Sequence, residues 1–188
     1  MNIQRLKKGA FGYPPYERKR VLIRTAVYFL ISIAVFLLGY FSTGKKENLL
    51  TIVAVLGLLP SSKSLVSAIM YFRIPQFSEA VYQEIFKHAG EVSVIYSMYL
   101  TSYHSNFPVN CFAVRGNNLI GYTEFPNCDA AACAEHIQGI LKQNSIKNVT
   151  IKIFHEKSRF LERLTQLQAL EHSKKESEVL ALLCDISL

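Results

Sequence analysis

With 188 residues, the chain has room for one domain of ordinary size and a short appendage. Its net charge of +7 is unevenly held: residues 1–75 carry 11 Lys/Arg against 2 Asp/Glu, and residues 76–188 carry 10 against 12. The C-terminal part is therefore mildly acidic. This argues against a phosphate-tracking surface and against nucleic acid as a partner.

Residues 1–20 form a basic tail with Lys7, Lys8, Arg18, Lys19 and Arg20, and Tyr13-Pro14-Pro15-Tyr16 lies between the basic clusters. Such a tail suits anionic lipid headgroups, or serves only to set topology. Residues 21–42 are predicted as a first transmembrane helix, since Thr25–Phe41 holds 17 uncharged residues and about 20 residues cross a hydrocarbon core of roughly 30 Å. Arg24 lies near its inner end, where its long stem can carry the guanidinium to the headgroups. The long stretch ahead of the apolar run and the lack of a small-residue cleavage site favour an uncleaved anchor over a signal peptide.

Residues 43–48 read as a short non-cytosolic loop. Gly39–Lys46, GYFSTGKK, nearly spells a phosphate-binding loop. Lys46 stands where the Mg²⁺-holding hydroxyl belongs, and the match closes an apolar helix instead of opening one after a strand. It reads as a hairpin turn.

Residues 49–72 are predicted as a second span kinked at Pro60. Ser61, Ser62 and Lys63 make its middle polar, so a broken or re-entrant segment is an alternative. An ammonium near mid-bilayer costs roughly 2.5–3.5 kcal/mol. Lys63 therefore either snorkels or meets a lipid phosphate or an acidic residue of another membrane subunit. Arg5, Lys7, Lys8, Arg18, Lys19, Arg20 and Arg24 precede the first helix and Arg73 follows the second, whereas only Lys45 and Lys46 occupy the loop. The positive-inside rule then puts both termini of a multi-pass cell-membrane protein in the cytoplasm.

Residues 76–188 are expected to form a cytosolic α+β domain. Ser78 caps a helix running to about Ala89, with Gly90 as its stop, and Phe77, Val81, Ile85 and His88 recur at helical spacing. Strand-like runs follow at 92–103, 109–116 and 118–124, with Gly116-Asn117-Asn118 as a tight turn. Asp129 starts a helix to about Gln143. Residues 148–154 alternate with Val149, Ile151 and Ile153 on one face, and a helix from Glu156 to about Glu171 buries Phe160, Leu164 and Leu167. The last ten residues read as strand or helix.

This αβββαβα order resembles the restriction-endonuclease-like fold, whose core is αβββαβ. The resemblance covers element order over about 80 residues and no motif. It implies a metal site with an acid on the second strand and an E-x-K-like pair on the third. Here no Asp or Glu occurs from Val92 to Thr123, and Glu124 stands without its lysine. Clustered carboxylates that would hold divalent ions are missing.

Cys128, Cys133 and His136 are weak zinc candidates without a second closely spaced ligand pair. Buried thiols are the favoured reading. Cys111 with His104 or His136 is a formal cysteine–histidine pair that nothing in the spacing requires. No catalytic residue and no cofactor are assigned, and the sequon at Asn148 is read as chance. The expectation is a membrane-anchored, non-catalytic interaction or regulatory module at the inner membrane surface, partnered by the bilayer and by another membrane protein or a second copy. The alternatives are an accessory subunit of a transport or secretion complex, and a tethered enzyme using a cysteine or Glu124.

Overall fold

The computed structural model describes residues 6–103, 105–173 and 175–188; Arg5 and His104, both weighed above, lie outside them. The chain divides into a hairpin unit, Pro14–Ile74, and a globular unit made of Met1–Tyr13 together with Pro75–Leu188.

The hairpin is two long helices, α1 (Tyr13–Thr43) and α2 (Leu49–Arg73). Helix α1 starts eight residues ahead of the expected position, because Pro14 and Pro15 fall in its first turn. There their missing N–H groups would have no helical acceptor in any case. Asn48 caps α2, its side chain accepting from Thr51 N at 2.9 Å. Helix α2 runs through Pro60 as one element. The two serines after Pro60 are satisfied within the helix: Ser61 Oγ donates to Gly57 O (2.9 Å) and Ser62 Oγ to Leu58 O (2.8 Å).

The helix residues buried in this unit are Pro14, Val21, Thr25, Ser32 and Gly39 on α1, and Ala54, Ser61, Ser64, Ala68 and Tyr71 on α2. Steps of three, four and seven mark a coiled-coil seam lined mainly by small side chains. At Gly57 the helices approach so closely that an added Cβ would lie 2.7 Å from Ser32 Oγ.

The globular unit is α+β, with a mixed four-stranded sheet in the order β1-β2-β3-β4. Its elements are α3 (Glu79–Ala89), β1 (Ser93–Thr101), β2 (Asn106–Arg115), β3 (Asn118–Tyr122), α4 (Ala130–Gln143), β4 (Thr150–Phe154), α5 (Lys157–Gln168) and α6 (Lys175–Ile186). Strands β1–β3 are antiparallel neighbours and β4 runs parallel to β3, which the α4 crossover permits. Ser78 and Asp129 cap α3 and α4 as expected. The ambiguous C-terminal segment is helix α6, followed by a bridge from Ser187 to Leu100.

Both sheet faces are covered. Cys133, Ile137 and Leu141 of α4 and Val179 and Leu183 of α6 pack with Phe107, Phe112 and Leu119 on one side. Ile85 of α3 and Phe160, Leu164 and Leu167 of α5 pack with Cys111, Ala113 and Ile120 on the other. The strands change face partway along. Tyr96 and Cys111 belong to the α3/α5 layer, while Met98 and Val109 belong to the α4/α6 layer, although residues two apart in a regular strand share a face. The switch falls on Ser97, which holds φ 54° between those two paired positions.

Strand β1 is an edge, and both ends of the chain close it. Tyr96 N donates to Gly9 O at 2.7 Å, and Leu188 N donates to Tyr99 O at 3.0 Å. Lys8 Nζ donates to Ser187 O at 2.7 Å, and Phe11 stacks on Tyr82 of α3 with ring centroids 4.2 Å apart. The basic tail expected as a separate element thus contributes residues 6–13 to the globular unit.

Gly9 holds φ 85°, and an added Cβ would meet Ile95 Cγ2 at 3.0 Å and Cys184 Sγ at 3.2 Å. Gly9→Val should destabilise the globular unit by about 2 kcal/mol or more, since the left-handed conformation alone costs a side-chain-bearing residue roughly 1–2 kcal/mol. Thermal melting of the full chain in detergent reads this as a lowered Tm; an unchanged Tm would show that the strap does not bear on the fold.

Candidate functional site

Glu124 and the buried cysteines of the domain are engaged in holding the structure together. Glu124, two residues past the end of β3, has Oε1 accepting from Ser78 N at 3.0 Å and from Asn110 Nδ2 at 2.7 Å. Asn110 Oδ1 in turn accepts from Glu124 N at 2.9 Å. The carboxylate thereby fixes the start of α3 and faces the positive end of the helix.

Cys111 is fully buried among apolar side chains, and burial pushes its thiol well above the usual range. A nucleophilic cysteine needs the opposite shift. Cys128 and Cys133 do come together: the hydrogen bond between their thiols pushes Cys133 up, as does burial, and holds Cys128 below its ordinary value. His136 sits against the Phe107 ring, with centroids 5.7 Å apart. Among the described residues no three His, Cys, Asp or Glu side chains are grouped as metal ligands would be. His88 is exposed and bonds Glu84 O through Nδ1.

One buried polar cluster was not anticipated. Arg115, 5% exposed, donates through Nε to Leu170 O (2.8 Å) and through a terminal nitrogen to Glu91 O (3.3 Å), and it contacts the His172 ring. Glu176, 4% exposed, accepts from Gly116 N at 2.7 Å and Ser173 N at 2.8 Å, and pairs with His172 Nδ1 at 3.0 Å. The cluster ties the β2–β3 turn to the α5–α6 connection. Its sequence signature is Ser173-x-x-Glu176, a capping box at the start of α6.

The hairpin holds the remaining candidates. Thr25 Oγ1 and Ser64 Oγ share a hydrogen bond of 2.7 Å across the seam, and Arg24 Nε donates to Ser64 Oγ at 3.3 Å. This contact sets Lys63 and Arg24 at one level of the bundle, and Lys63 faces outward. Lower down, Arg18 donates to Tyr71 O (3.2 Å) and Ile74 O (2.9 Å), capping the C-terminal carbonyls of α2, while Arg20 pairs with Glu17 at 3.5 Å. Lys19 and Arg73 are exposed, as is Lys7 in the strap. Both helices are long and apolar enough to cross a membrane: their best 18-residue stretches have mean hydropathy 2.4 and 1.8, and 17% of each is buried. A core helix of a soluble protein would bury most of such a stretch.

No family model, curated protein or solved structure matches the chain.

Two outcomes test the structural roles assigned here. Glu124→Ala should cost about 2–3 kcal/mol of stability, the scale of hydrogen bonds to a charged acceptor; unchanged denaturant midpoints would return Glu124 to the candidate catalytic groups. For Glu176, burial acts to raise the carboxyl pKa, but the bonds from Gly116 N and Ser173 N and the His172 contact outweigh it, and the net shift is downward. A depressed carboxylate stabilises the fold above its ordinary pKa and loses that contribution as pH falls through the folded value. Glu176→Gln should therefore melt well below the parent at neutral pH and approach it under acid; a difference independent of pH would contradict the assignment.

Proposed function

We propose that the chain is a membrane-anchored, non-catalytic interaction module, with its α+β domain held at the inner surface of the cell membrane by the hairpin. One observation carries this reading: residues from both sides of the hairpin close the same globular unit. A chain that leaves a folded unit and returns to it must end on the side from which it started. Both helices then cross, or neither does, and their exposed apolar side chains favour crossing, because a contiguous greasy surface of that size is not left in water. The basic residues at the domain end of the hairpin favour the cytosolic side.

The non-catalytic part is supported by chemistry. Glu124, Cys111, Cys128 and Cys133 are taken up by caps, core and mutual contact. The element order α3-β1-β2-β3-α4-β4 and a sheet with β4 parallel to β3 favour a restriction-endonuclease-like arrangement. In such an arrangement Asn110 on β2 and Glu124 after β3 bond each other, and an acid pair for divalent ions is not formed. A second reading, an accessory subunit of a membrane complex, draws on the outward-facing Lys63.

A membrane-impermeant amine reagent applied to intact cells should modify Lys45 and Lys46 and spare Lys142 and Lys147, which label only after permeabilisation. Labelling of the domain lysines in intact cells would overturn the orientation. In mild detergent, a stoichiometric protein companion is expected. A monodisperse lone species would remove both contact-based readings.

A further inference from the structure

We propose that Arg24 and Lys63 form a two-cation clamp for the phosphate of an anionic phospholipid in the leaflet nearest the domain. The proposal rests on the bilayer reading of the hairpin.

Geometry brings the two cations together. The shared Thr25–Ser64 bond makes those residues face each other across the seam. In two antiparallel helices turning about 100° per residue, the residues just before two facing positions project from the same flank. Arg24 and Lys63 are those residues. Arg24 Nε on Ser64 Oγ confirms the placement, since it lays the guanidinium against α2 beside Lys63.

Electrostatics leaves the pair without an anion from this unit. The acids of Pro14–Ile74 are Glu17 and Glu47. Glu17 lies seven residues below Arg24, roughly 10 Å along the helix, and pairs with Arg20. Glu47 is in the far loop. The nearby hydroxyls are already committed: Thr25 Oγ1 bonds Val21 O, Ser62 Oγ bonds Leu58 O and Ser67 Oγ bonds Lys63 O. Two like charges side by side at an apolar boundary call for an external counter-charge, and a guanidinium fork beside an ammonium suits phosphate oxygens.

Depth selects a lipid as its source. Beyond Arg24, α1 is uncharged through Thr43, and beyond Lys63, α2 is uncharged back to Leu49. At 1.5 Å per residue these runs measure roughly 28 Å and 21 Å; the α1 run is close to a hydrocarbon core of about 30 Å, and the α2 run is shorter, with the loop 44–48 completing the far side. The clamp therefore sits where that core meets the headgroups. Lys63 is then a boundary residue, not a mid-bilayer one.

The test is native mass spectrometry of the full chain, purified from nanodiscs of equimolar phosphatidylglycerol and phosphatidylcholine. The parent should retain phosphatidylglycerol with roughly thirtyfold preference, the order expected for two cations each contributing about 1 kcal/mol beside an anionic surface. Arg24→Gln/Lys63→Gln should abolish that preference. Lys45→Gln/Lys46→Gln, which removes the same charge at the far end, and the charge-keeping Arg24→Lys/Lys63→Arg should preserve it. Preference that survives the double glutamine variant, or is absent from the parent, overturns the clamp. Displacement of the lipid by millimolar inorganic phosphate would reassign the site to free phosphate, and an acidic membrane protein lost only with the double variant would reassign it to a protein. Alkaline carbonate washing separates the two levels: extraction of the parent from vesicles sinks the bilayer reading itself, whereas loss of lipid preference in a carbonate-resistant chain sinks only the clamp.

Discussion

The hydrogen bond from Tyr96 N to Gly9 O decides the organisation of this chain. It makes residues ahead of the hairpin part of the domain that follows it. It also falls beside Ser97, where β1 turns its side chains from one core to the other. Exposed edge backbone is a hazard in any sheet, and here the two ends of the chain cover it: Gly9 at Tyr96, and Ser187 and Leu188 at Tyr99 and Leu100. The opposite edge, β4, is guarded more simply by short length and the exposed Lys152.

Much of the globular unit was legible because local chemistry and final structure agree. Ser78, Gly90 and Asp129 act as helix boundaries, and Phe160, Leu164 and Leu167 form the buried stripe of α5. The sheet's parallel pair, β3 with β4, follows from the α4 helix that the sequence places between them. What was not legible depends on long-range contact. Nothing in LKKGAFG marks a strap, since it has neither strand nor helix period; its only signals are Gly9 and Gly12, and that Gly9 lies against Ile95 and Cys184 depends on long-range packing. Alternation could not show that β1 and β2 exchange faces at Ser97, because the pattern assumes one face per parity.

The candidate site was read less well, for the same reason. Lys63 is nearly central in the apolar run 49–72, and counting residues along α2 alone puts it deep. Only the Thr25–Ser64 contact, 39 residues apart in sequence, shows that it shares a level with Arg24. Glu124 and the thiols were open chemically until their neighbours were known. Arg115, His172 and Glu176 meet across 61 residues of chain, and among the described residues no buried side-chain nitrogen or oxygen is left without a hydrogen-bond partner.

Hydrogen exchange at the Tyr96 amide, measured on the full chain in detergent micelles, tests most directly whether the hairpin is inserted within one folded unit. Protection comparable to the central strand β2, lost when residues 1–12 are removed, is the predicted result. A Tyr96 amide that exchanges like an open edge in the full chain would contradict it.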